Sequence, residues 1–157
     1  MEIVNRISEI FGKILEKLKG FDLHTKYKDQ FMNFYKEIID HKEDSIRLKA
    51  VYNLPCVNLI YKPLESELKI SFQEIYLKFS EDKEFDVRYC AAASLHEALK
   101  LTTDEEDISM LRQVFISCIL DPAREMILLM NSNLVFLIKK YGNKHTIENF
   151  KGRTLYV

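Results

Sequence analysis

The sequence predicts an all-α protein, a right-handed α-α superhelix of about three helix pairs preceded by one further helix. Three observations predict it. The chain resembles itself at a period of about 40 residues, and its apolar residues recur at three- and four-residue spacing. Its 157 residues include only 4 glycines and 3 prolines, too few to punctuate the strands of an all-β fold. At 47% hydrophobic and 11% aromatic, one domain spanning residues 1–157 can bury a substantial core.

The elements follow in order. Residues 3–19 form a first helix, with Ile3, Ile7, Ile10, Phe11, Ile14, Leu15 and Leu18 at helical spacing and Gly20 placed to end it. It either caps the first pair or is the second helix of an incomplete repeat. The pairs are then 26–40 with 44–61, 65–80 with 84–101, and 105–120 with 122–141, giving units of about 26–61, 65–101 and 105–141.

A shift of 41 residues lays Phe31, Phe34, Tyr35 and Ile38 on Phe72, Ile75, Tyr76 and Phe79, then Ile46, Arg47, Ala50 and Leu54 on Val87, Arg88, Ala91 and Leu95. A further shift of 39 carries Asp82, Val87, Ala91 and Leu95 onto Asp121, Met126, Met130 and Leu134. Thr102, Thr103 and Asp104 before Glu105, Glu106 and Asp107 place a cap and negative charge at the positive end of a helix dipole. Pro122 suits a first helical turn. Pro55, inside 44–61, predicts a kink.

Two helices per unit at this period are the sequence sign of HEAT or armadillo arrays. The stretch from Asp82 through Val87-Arg88 to Ala91, Ala92 and Leu95 resembles the HEAT pattern of an inter-helix aspartate, Val-Arg at the start of the second helix, then small residues and leucine. That resemblance implies an aspartate-arginine ladder between adjacent repeats. Asp82 with Arg88 fits the pattern, Asp40 or Asp44 with Arg47 fits it loosely, and the third unit has Asp121 but Ile127 in place of the arginine.

Within the HEAT class, three strings resemble the regulatory and scaffold subunits of type 2A/type 4 serine/threonine protein phosphatases. They are Ser45 to Pro55, Val87 to Glu97, and Tyr141 to Thr146, and the resemblance covers about residues 42–147. Such subunits are usually long arrays, whereas this chain holds three to four repeats. The resemblance implies a non-catalytic platform on which a phosphatase catalytic subunit or its substrate docks.

Composition narrows the alternatives. Lys plus Arg number 23 against 24 acidic residues, so the net charge of -1 gives no overall pull toward phosphate backbones or anionic membranes. Charges at Glu2, Arg6, Glu9, Lys13, Glu16 and Lys17 interrupt any leader-like run, and Met126 to Ile138 is too short to span a bilayer. The expected location is cytoplasmic. Cys56, Cys90 and Cys118 form no CxxC pair and read as small core residues in a reducing compartment.

No nucleophile-base set, carboxylate pair or metal cluster has a recognisable spacing. His96-Glu97 lacks the second histidine of HExxH, and the glycines at 12, 20, 142 and 152 form no phosphate loop. His24, His41 and His145 are scattered near predicted helix ends. The run from Thr103 to Asp107 lacks the glycine of a calcium loop and reads as a charged helix start. Lys13, Lys17, Lys19, Lys26 and Lys28 are diluted by interspersed carboxylates. Phe31, Phe34, Tyr35, Phe72 and Tyr76 would stack bases if exposed, but their spacing favours a core.

Second helices of HEAT units usually line the concave side. Their outward positions here are Lys49, Tyr52, Asn53, Cys56, Tyr89, Ala93, His96, Glu97 and Lys100, with Tyr52, Tyr89 and His96 foremost as partner anchors. The alternative for each is that it covers a neighbouring helix. The expected function is protein binding without cofactor, metal or small-molecule substrate. A HEAT-like nucleic-acid binder is the competing class and needs a basic concave channel.

Overall fold

The computed structural model describes residues 2–103 and 105–141, with side chains as far as residue 133. All regular elements among them are helical: α1 Glu2–Lys19, α2 Leu23–Lys26, α3 Lys28–Ile39, α4 Asp44–Tyr61, a 3-10 turn Lys62–Leu64, α5 Glu65–Leu68, α6 Phe72–Ser80, α7 Phe85–Leu101, α8 Glu105–Leu120 and α9 Arg124–Tyr141. None is long and apolar enough to cross a membrane. The capping residue Asp104 and the end of the chain from residue 142 lie outside the described residues.

The helices pack in two rows. In one, α4 lies between α1 and α7, and α7 lies between α4 and α9. In the other, α3 meets α5, and α6 meets α8, while α3 packs on α4, α6 on α7 and α8 on α9. Helix α1 thus lies in the row of the second helices, beside α4. The core lies between the rows. Phe11, Tyr35, Leu54, Tyr76, Phe79, Leu95 and Phe115 are all buried there, and Phe11 meets the rings of Phe31, Phe34 and Tyr35. The aromatic stripe is therefore core: Tyr35, Phe72 and Tyr76 are buried, and Phe31 and Phe34 pack partly buried against them.

Three sequence expectations change in detail. The helix expected over 26–40 divides at Tyr27 into α2 and α3. The helix over 65–80 breaks after Leu68, where Lys69 takes the left-handed conformation (φ 48) and Ser71 starts α6 by accepting the Glu74 N–H at 3.2 Å. Serine followed three residues later by glutamate is a helix-start signature, and it outweighs the apolar periodicity running through it. Pro122 lies outside α9, in the turn before Arg124. Pro55 lies inside α4, which runs unbroken from Asp44 to Tyr61.

The turns joining first and second helices repeat one design. Asp82 Oδ1 accepts the Glu84 N–H at 2.9 Å, Asp121 Oδ1 accepts the Ala123 N–H at 2.9 Å, and His41 Nδ1 accepts the Glu43 N–H at 3.1 Å. Each side chain satisfies a backbone donor that the coming helix cannot.

Candidate binding face

Arg47 and Arg88 join successive turns. Arg47 grips Asp82 through Nε at 2.7 Å and Nη2 at 2.9 Å, while its Nη1 donates to the carbonyls of His41 and Lys42 at 2.9 and 3.0 Å. Arg88 repeats this one unit later, with Nε on Asp121 at 2.6 Å and Nη1 on the carbonyls of Asp82 and Lys83 at 2.9 and 3.0 Å. Each arginine therefore staples its own turn and reaches the aspartate of the next. Arg88 does not pair with the Asp82 carboxylate inside its own unit, and Asp40 pairs with Lys78 instead of Arg47. The joints run between adjacent units, the direction expected of the ladder, and the reach to the next turn is set by how the units pack.

Burial works against ionisation of Asp82 and Asp121. The hydrogen bonds from arginine and from the backbone outweigh it, and both carboxyls fall below their ordinary range. The hydrogen bond to Asp82 likewise raises the Arg47 guanidinium.

The outward positions of the second helices separate. Tyr52 is 74% exposed and Tyr89 is 37% exposed, with Tyr89 packed on Phe85. Lys49 is half-buried and bonds Asn5 on α1. His96 lies with Nε2 2.8 Å from Glu97 Oε1 and Nδ1 2.9 Å from the Ala93 carbonyl. Glu97 also accepts from Lys100 at 2.8 Å, and that bond and the neighbouring His96 draw its carboxyl down. Ala93 is half-buried.

Asn53 is a correction, since it is only 6% exposed and offers nothing to a partner. Its amide donates to the Ser8 carbonyl at 2.7 Å and accepts the Gly12 N–H at 2.8 Å, gripping two groups one helical turn apart on α1. A Cβ on Gly12 would lie 2.7 Å from Asn53 Oδ1 and 3.3 Å from Cys56 Cβ, so the approach of α4 to α1 requires glycine. A glycine in mid-helix facing a polar residue of a neighbouring helix was the available signal. Cys56 donates to the Gly12 carbonyl at 3.4 Å, and it and Cys90 are half-buried, so only Cys118 is a core thiol. Burial raises the Cys56 thiol, which makes it a poor nucleophile.

Between the later halves of α1, α4 and α7 runs an open groove of about 660 Å³. Its floor is Pro55, Cys56, Leu59, Ile60 and Leu101, with Glu16 and Lys19 on one wall and Glu97 and Lys100 on the other. Leu59 is 56% exposed, and with Tyr52 and Cys56 it forms one stripe along α4 at helical spacing. Of the expected binding positions, the groove gathers Cys56, Glu97 and Lys100. Glu16, Lys19 and Leu59 are lining residues that the sequence did not single out. Among the described residues no group of three or more His, Cys, Asp or Glu could hold a metal ion. No family model, curated protein or solved structure matches the chain.

Proposed function

We propose that this chain is a non-catalytic, cytoplasmic scaffold of HEAT type that binds a protein partner on the face formed by α1, α4 and α7. The single observation that carries the reading is the open apolar groove beside Tyr52 and Leu59. The groove offers an aliphatic floor, and Tyr52, one helical turn from Cys56 on α4, stands exposed beside it as an aromatic anchor. The forward Arg47–Asp82 and Arg88–Asp121 joints support the HEAT assignment, because they pair one unit's arginine with the next unit's aspartate. A right-handed superhelical stack follows from that assignment.

Each groove lysine lies alongside a carboxylate, Lys19 near Glu16 and Lys100 bonded to Glu97. Such mixed walls favour a protein surface over a phosphate backbone, which would require a basic channel. The first candidate partner, from the strings at Ser45 to Pro55 and Val87 to Glu97, is a type 2A/type 4 phosphatase catalytic subunit. Titration calorimetry of the purified chain with that subunit tests the reading. Binding that Tyr52→Ala and Leu59→Ser weaken at least about tenfold supports it. Binding unaffected by both substitutions removes the groove from the function, and no binding removes this partner.

A further inference from the structure

The flank of α1 that faces away from α4 is apolar and basic at once. Helix α4 contacts α1 through Asn5, Ser8 and Gly12. On the opposite side of the same helix, Ile3, Ile7, Ile10 and Ile14 form one stripe at four- and three-residue spacing. Ile3 is 74% and Ile10 45% exposed, Ile7 and Ile14 are half-buried, and Phe21, in the turn after α1, is 75% exposed. Lys13 and Lys17 are exposed on this flank, as is Arg6, which pairs with Glu2 at 2.9 Å. Among the described residues, α4 and α7 each have helices on both sides in their row, whereas α1 has a row neighbour on one side only.

We propose that this flank docks an acidic amphipathic helix of a partner protein, laid beside α1 as α1 lies beside α4. Charge selects the occupant. Pairing with a second copy would set Lys13 and Lys17 against their own equivalents. A flat anionic membrane would bring the exposed carboxylates of Glu2 and Glu9, beside Arg6 and Lys13 at four-residue spacing on α1, toward its own negative charge. A narrow helix carrying apolar residues at heptad a and d positions and glutamates beside them meets both the isoleucines and the lysines. The site is distinct from the groove, so it extends the proposed function without depending on it.

The probe is a fluorescein-labelled synthetic helix of about three heptads, leucine at a and d with glutamate at e and g, against the same peptide with lysine at e and g. Anisotropy with the full chain should show binding of the glutamate peptide, at least about tenfold weaker binding of the lysine peptide, and reversal of that preference in Lys13→Glu/Lys17→Glu. Ile3→Ser/Ile10→Ser should abolish binding with unchanged thermal melting, and Tyr52→Ala should leave it unaffected. Equal binding of both peptides, or of neither at about 100 μM, overturns the proposal. So does light scattering that shows a dimer lost in Ile10→Ser, or flotation with phosphatidylserine vesicles by a chain that ignores both peptides.

Discussion

Replacing Arg47 by alanine should cost about 3 kcal/mol of folding stability. The side chains of Arg47 and Asp82 are only 9% and 11% exposed, and the guanidinium makes four hydrogen bonds. Truncation leaves the Asp82 carboxylate with the Glu84 N–H alone and strips the carbonyls of His41 and Lys42 of their shared donor. Removing one partner of a buried pair typically costs about 3–5 kcal/mol, and the remaining backbone bond to Asp82 puts this case at the lower end. The comparison is Arg6→Ala. Its pair with Glu2 is 77% and 79% exposed and should contribute no more than about 0.5 kcal/mol. Arg47→Lys should fall between, since one ammonium cannot span both carboxylate oxygens and two carbonyls. Urea unfolding followed by circular dichroism measures all three, and an unchanged slope would show that the stack still unfolds as a unit. A loss for Arg47→Ala within about 1 kcal/mol of Arg6→Ala, or a coupling below about 1 kcal/mol in a cycle with Asp82→Ala, refutes the reasoning.

Gly12→Ala should destabilise by about 1–3 kcal/mol despite alanine's better helix propensity, because its methyl meets Asn53 Oδ1 at 2.7 Å. The same substitution in an Asn53→Ala background should cost less, and denaturant melts of the four variants decide it. Asp82 and Asp121 titrate below the ordinary carboxyl value. The stability they contribute is complete above about pH 4 and declines as pH falls through their depressed native values. Thermal melts from neutral to acid pH should therefore fall less steeply in Asp82→Asn/Asp121→Asn, which begins from a lower plateau, and parallel acid limbs would contradict the assignment. Tyr52→Ala should stay within about 0.5 kcal/mol of the parent stability, its ring being 74% exposed, so any loss of partner binding reports contact and not unfolding.

The helical architecture was legible because each unit writes the same apolar face. Phe34 and Ile75, Ile38 and Phe79, Leu54 and Leu95 coincide at one shift, and all of them except the half-buried Phe34 are buried. The short breaks were not legible from periodicity, since Leu68, Phe72 and Ile75 keep helical spacing across a left-handed Lys69 that interrupts the backbone. At the candidate site, Tyr52 and Tyr89 could be placed on an outward face from register alone. Asn53 could not, because whether it faces solvent or α1 depends on how closely two helices approach, and that distance is set by the glycine on the other helix. Glu16 and Lys19 read only as part of a diluted charge cluster for a related reason: the sequence of the first helix does not announce that its far end borders α4.

The arginine joints also bear on the order of the units. Each joint needs an arginine on one side and a receptive carboxylate on the other, so its two halves are directional. At the turn between α3 and α4 the place of that carboxylate is held by His41, whose Nδ1 is already engaged by the Glu43 N–H. Arg47 and Arg88 can therefore serve only beside a turn that carries an aspartate, which ties the sequence of one unit to that of the next.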